Sequence, residues 1–121
     1  MQDLGKLILR LGLGLLMLTH GWPKLMKLFA GGEIQFPDPL GIGALPCLIL
    51  TVFAEFVCVI FVMIGYKSKW FSIPIVITML VAAFVVHGSD PLGKKELALI
   101  YAIGYSVIYL LGNGKYALEK D

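Results

Sequence analysis

The sequence predicts an all-α membrane protein, built as an antiparallel bundle of four transmembrane helices. Of its 121 residues, 59% are hydrophobic and only 15% are charged, and the mean hydropathy is +0.88. Soluble domains average about 45–50% apolar and about 25% charged residues, and a small domain leaves much of its surface in water. The composition therefore argues against a soluble enzyme or a disordered tail. The weak, scattered net charge of +2 argues against nucleic-acid binding.

Four apolar stretches give the number of helices. They cover residues 4–22, 45–64, 70–86 and 97–111. A helix needs about 20 apolar residues to cross a bilayer, with a range of about 17–25. The first three stretches meet this length, and the fourth reaches the interface with the residues that follow it. We therefore predict a single transmembrane domain over residues 1–121. A cleaved signal peptide is the alternative for the first stretch, but no A-x-A cleavage site follows it.

The connecting segments carry turn signals. Pro23 suits the first turn of a new helix, and residues 23–30 mix two lysines with apolar side chains, as short interfacial helices do. We predict such a helix after the first span. A Pro/Gly-rich loop follows at residues 36–43, tight turns lie at 65–69 and 88–95, and a polar tail covers 112–121.

The distribution of lysine and arginine predicts the orientation. The side that holds both termini carries six basic residues, and the opposite side carries four: Lys6, Arg10, Lys67, Lys69, Lys115 and Lys120 against Lys24, Lys27, Lys94 and Lys95. This bias favours a protein of the plasma (inner) membrane with both termini in the cytoplasm.

Glu55 is the strongest candidate for a functional residue. It is the eleventh of twenty residues in the second stretch, and charge at this depth costs about 2.5–3.5 kcal/mol on insertion scales. Two interpretations stand. Glu55 is a carboxylate that accepts a proton or binds a ligand, or it is a buried carboxyl group hydrogen-bonded to a neighbouring helix.

Arg10 is the deepest cation on the cytoplasmic side. By helix rise it lies about 9 Å inside the first span, and Glu55 lies about 14 Å from the same side. A long guanidinium group bridges such a gap, so an Arg10–Glu55 ion pair is one interpretation. The other is that Arg10 extends back to the cytoplasmic headgroups.

Four polar residues fall at the outer ends of the spans: His20, Lys24, His87 and Glu96. Each histidine is either a ligand-orienting group or an interfacial hydrogen-bonding residue, and Glu96 alternatively complements the dipole at a helix start. Metal binding is not predicted, because H-x-x-x-H and CxxC spacings are absent.

The fourth stretch adds aromatic hydroxyls. Tyr101 and Tyr105 are four residues apart and share a helix face, either for function or for plain aromatic packing. Eight residues then form the candidate ligand site or proton path: Arg10, His20, Lys24, Glu55, His87, Glu96, Tyr101 and Tyr105. A bundle interior lined in this way suits a small amphipathic ligand such as a quinone.

The ordered set of residues resembles the DoxX family of small four-helix membrane proteins. The resemblance covers nearly the whole chain and rests on Arg10 with residues 12–16, His20-Gly21, Lys24, Ala54-Glu55, Gly65, Met79, Ala82-Ala83, His87, residues 95–101 and residues 112–118. Departures are small: Asn113 stands where proline is frequent, and Trp22-Pro23 is unusual after His-Gly.

The resemblance implies a link to quinone or redox chemistry. Relatives have been connected with quinol or thiosulfate:quinone oxidoreductases, with oxidative stress, and with chaperoning of membrane proteins. The chain has no haem, flavin or iron–sulfur motif, so it is at most a non-catalytic or partner-dependent subunit of a quinone-linked oxidoreductase. We expect it to bind a small lipophilic, quinone-like ligand. The alternatives are a scaffold or chaperone for other membrane proteins, and a small transporter or proton leak formed by a homo-oligomer.

Overall fold

The computed structural model describes residues 1–34 and 36–119. Within them 75% of residues are helical and none forms a strand, which confirms the all-α class. Four long helical segments follow one another: α1 Gln2–Ala30, α2 Ala44–Ile64, α3 Ser68–Val86 and α4 Leu92–Leu111. They form a ring, because α1 packs on α2 and α4, and α3 packs on α2 and α4.

Among the described residues, α1, α2 and α3 are long and apolar enough to cross a membrane. The fourth helix begins at Leu92, five residues before the predicted stretch. It therefore takes in Lys94, Lys95 and Glu96, which lower its apolar character. Glu96 lies in the second turn of α4, beyond the first turn where a carboxylate complements the helix dipole.

The first connection differs from the prediction. Residues 23–30 are the last two turns of α1 instead of a separate interfacial helix, since α1 continues through Pro23 to Ala30. Proline costs one backbone hydrogen bond, but α1 contacts α2 on both sides of Pro23. Gly21 lies against the α2 backbone and Lys24 pairs with Glu55. These contacts hold the helix together across the proline.

Antiparallel packing is visible in the contacts of α1. Gly14 lies against Met63 and Gly21 lies against Glu55, so α1 and α2 run in opposite directions. The core between the helices is apolar and buried, and it includes Met17, Cys58, Val62, Ile75 and Ile108. Large apolar side chains on the outside of all four helices are exposed, as expected for a bundle surrounded by lipid.

Both described ends of the chain lie at the same end of the bundle. The backbone N–H of Lys115 donates to Asp3 at 3.2 Å, and the N–H of Glu119 donates to the carbonyl of Gly65 in the α2–α3 turn at 3.0 Å. Of the six basic residues predicted for this end, Lys120 lies outside the described residues.

Candidate functional site

An apolar cavity of about 530 Å³ lies between α2, α3 and the 36–43 loop, at the end of the bundle away from the tail. Its walls are mostly Pro, Leu, Ile, Val and Phe side chains. Three of the eight predicted site residues line it: Lys24, Glu55 and His87. The volume falls within the range of about 300–1,000 Å³ that is usual for small-molecule sites.

Glu55 forms an ion pair with Lys24. The Lys24 ammonium donates to both carboxylate oxygens, at 2.8 Å and 2.7 Å. The Glu55 side chain is 3% exposed and that of Lys24 is 31% exposed, so the pair stands at the border between the core and the cavity. An ion pair in such surroundings is screened far less than one in water.

Of the two interpretations of Arg10, the ion pair with Glu55 is therefore wrong, and the helix contacts explain why. Gly21 is the α1 residue that meets Glu55, and Lys24 follows it by one turn. Arg10 precedes Gly21 by eleven residues, which is about 16 Å along the helix axis. The depth estimate left about 5 Å between the two charges, whereas the helix contacts place Arg10 about 16 Å from the level of Glu55.

Two π-helical turns shape the cavity. Glu55 lies within the first, Phe53–Val57, and His87 directly follows the second, Ala82–Val86. The N–H of His87 bonds to the carbonyl of Ala82, five residues earlier, at 3.0 Å. A π-helical turn holds one extra residue and occurs frequently at functional sites. Here it turns a polar side chain toward the cavity on each of two helices.

His87 is held from outside the cavity by Asp90. Its Nδ1 lies 2.8 Å from Asp90 Oδ2. This hydrogen bond is the main cause that lowers the pKa of Asp90, with a smaller contribution from the charge of Lys94. The contact orients the imidazole ring, so that its other nitrogen remains for a ligand or water.

The 36–43 loop covers the cavity and is fastened by Asp38. The carboxylate accepts the backbone N–H of Ile42 at 3.0 Å and of Gly43 at 2.9 Å, and the Cys47 thiol donates to it at 3.1 Å. The thiol is the main cause that lowers the pKa of Asp38. Sequence reasoning described this segment only as a loop. An Asp shortly before a helix start was the available signal.

His20, Tyr101 and Tyr105 belong to the packing between α1 and α4 instead of the described cavity wall. The rings of His20 and Tyr101 meet edge to face, with centroids 5.8 Å apart. Tyr105 is fully buried one turn further along α4. Glu96 is exposed on α4 and also lies outside the cavity.

Arg10 has a structural role at the opposite end of the bundle. It is 1% exposed. Its guanidinium group donates to the carbonyls of Val62 at 3.3 Å, Met63 at 2.7 Å and Tyr116 at 2.6 Å. Arg10 thus joins α1 to the end of α2 and to the tail, which neither sequence interpretation anticipated.

Comparisons with known proteins agree with the sequence resemblance. The profile of the DoxX family matches residues 5–88. The chain is also similar to inner membrane protein YqjF of Escherichia coli (strain K12), with 24% identity over 126 positions that cover 99% of this chain and 93% of the relative. No solved structure matches. The family match includes the three predicted site residues that line the cavity.

Proposed function

The chain belongs to the DoxX family of membrane proteins, and from this premise we propose that it binds a small lipophilic, quinone-like molecule in the cavity between α2 and α3. The observation that carries the proposal is the Lys24–Glu55 ion pair in the wall of a mostly apolar cavity. An apolar site with a few converging polar groups is the usual form of a small-molecule site.

The polar groups suit a ligand with ring carbonyls or hydroxyls. The Lys24 ammonium has three donor hydrogens and shares two with Glu55, so one is left for a carbonyl oxygen. Charge-assisted hydrogen bonds of this kind are about twice as strong as neutral ones. Glu55 takes or gives a proton as the ligand changes between carbonyl and hydroxyl forms, and His87 contacts the far side of the head group.

The same proposal places the protein in the inner membrane, as the name of the E. coli relative states for that protein. In this arrangement α4 crosses as the fourth span and both termini face the cytoplasm. Electrons for any ligand reduction come from a partner membrane or redox protein, since the chain carries no redox motif of its own.

Mass spectrometry of co-purifying small molecules tests the proposal. We expect a specific quinone or related lipid in the wild-type protein and its loss in Glu55→Gln. Glu96→Gln is the matched control, because it makes the same change at an exposed carboxylate outside the cavity. Bulk lipid alone in all three samples would contradict ligand binding and favour the scaffold or chaperone function.

A further inference from the structure

Three fully buried hydroxyl groups in the described bundle have no hydrogen-bond partner. They belong to Ser68 and Ser72 on α3 and Tyr105 on α4, and each side chain is at most 1% exposed. A buried hydroxyl without a partner destabilises the folded protein, because it has lost its hydrogen bonds to water. In native proteins such groups are satisfied by ordered water wherever there is room for it.

These hydroxyls follow one line through the bundle. Ser68 and Ser72 are four residues apart and share one face of α3, as Tyr105 and Tyr101 do on α4. Helices α3 and α4 are antiparallel neighbours and the most extensively packed pair in the structure. Ser72 and Tyr105 are almost equally far from the connection between the two helices, so they lie at the same level. Within each helix, the step of four residues is about 6 Å along the axis, a distance that one or two water molecules would bridge.

The line joins two features at its ends. Ser68 lines a cleft of about 580 Å³ at the tail end of the bundle, together with Lys67, Lys69, Trp70 and Asn113. At the other end, Tyr101 contacts His20, and Gly21, the next residue of α1, lies against the backbone of Glu55. Tyr101 is therefore level with the Lys24–Glu55 pair.

We propose that ordered water molecules fill a column from this cleft past Ser68, Ser72 and Tyr105 to Tyr101, and that the column brings protons to the Glu55 site. A hydroxyl both donates and accepts hydrogen bonds, so such a chain can pass a proton along. The titratable groups that face its inner end are His20 from α1, Glu55 from α2 and Tyr101 from α4. The column would let protons reach Glu55 from the end of the bundle opposite the cavity. The existence of the column does not depend on the proposed function, and only its role in supplying protons does.

Thiol accessibility tests the column without any ligand. Ser72→Cys replaces one oxygen by sulfur, in a Cys47→Ala background, and the native Cys58 serves as the internal control because it is fully buried in the apolar core. Sealed vesicles of known orientation are exposed to Ag⁺ in chloride-free buffer. The protein is then unfolded and alkylated with a maleimide, and the remaining free thiols are located by peptide mass spectrometry.

We expect Ag⁺ applied on the cleft side to remove most of the maleimide-reactive thiol at position 72 while position 58 keeps its full reactivity. Equal protection at both positions would overturn the water column, and so would access from the cavity side alone. Either result leaves the co-purification experiment unaffected, so failure of the column is distinguishable from failure of ligand binding.

Discussion

Two buried charges lie near opposite ends of the bundle, and the structure satisfies them in different ways. Arg10 donates to backbone carbonyls of α2 and of the tail, whereas Glu55 is matched by one ammonium group beside a cavity. A cation surrounded by carbonyls has no group left to exchange with a ligand. A carboxylate paired at a cavity wall does, which is why we propose Glu55 as the ligand-binding residue and assign Arg10 a structural role.

Removal of Arg10 should destabilise the whole bundle. We expect Arg10→Met to lower the free energy of unfolding by about 3 kcal/mol, because it leaves buried carbonyls without donors. Arg10→Lys should recover little, since an ammonium lacks the planar fork that reaches separate acceptors. Thermal unfolding in detergent measures the stability of both Arg10 variants. Lys69→Met, at the same end of the bundle as Arg10, is the control. An Arg10→Met protein as stable as the control would contradict the structural role.

The Lys24–Glu55 pair should show strong energetic coupling. Lys24→Met alone leaves a buried carboxylate without its cation, and we expect a loss of about 3 kcal/mol. Lys24→Met combined with Glu55→Leu should be more stable than the single variant, since no charge remains to be desolvated. A double-mutant cycle by thermal unfolding checks this. Additive effects of the two changes would show that the pair is not formed.

At the scale of helices, the position of Glu55 depends on how closely α1 approaches α2. A Cβ atom at Gly21 would clash with the carbonyl oxygen of Glu55 and would lie 2.9 Å from its carbonyl carbon. Glycine therefore permits a contact that brings Lys24 within reach of the carboxylate. The π-helical turn at Phe53–Val57 completes the arrangement from the α2 side.

Gly21→Ala should separate α1 from α2, whereas Gly12→Ala should not. We expect Gly21→Ala to cost about 1–3 kcal/mol of stability, the usual penalty for overpacking, and to weaken ligand retention together with it. A Cβ at Gly12 meets nothing within 4 Å, so Gly12→Ala should be neutral or stabilise by up to about 1 kcal/mol. Thermal unfolding of both variants under the same conditions measures the two changes in stability. Equal behaviour would contradict the close contact.

The loop over the cavity should depend on the charge of Asp38. Its folded pKa is lower than the ordinary value of 3.8 because of the bonds from the Cys47 thiol and from the backbone of Ile42 and Gly43. The stabilisation is therefore complete above pH 3.8 and is lost as the pH falls through the folded pKa. The difference in thermal midpoint between wild type and Asp38→Ala should close on acidification. A difference that does not change with pH would contradict this role, and Glu33→Ala, an exposed carboxylate in the same connection, is the control.

At the scale of the whole molecule, the two ends of the bundle differ. The tail end is covered by the tail, which Arg10 holds, and carries the cleft beside Ser68. The other end carries the cavity and its loop. The described chain ends meet at the tail end. In the proposed function, the ligand enters from the cavity end or from the surrounding lipid, and protons enter from the cleft at the tail end.

The positive-inside bias predicts that the tail end of the bundle faces the cytoplasm. We expect a fluorescent protein fused after the tail to fluoresce, because such proteins fold in the cytoplasm. Alkaline phosphatase at the same site should stay inactive, since its disulfides form only in the periplasm. The same pair of reporters inserted in the 88–91 turn should give the opposite pattern. Active phosphatase at the tail would show that the protein has the opposite orientation, with the cavity end facing the cytoplasm.

The sequence by itself determined the class of protein, the approximate positions of the helices and the family. These follow from composition and apolar length, which are properties of each segment taken alone. Only the tertiary structure decided that Lys24 instead of Arg10 pairs with Glu55, that α1 continues through Pro23, and that Asp38 fastens the loop. The physical reason is that partners depend on the register between packed helices. Gly21 against Glu55 sets that register through contacts no single segment contains.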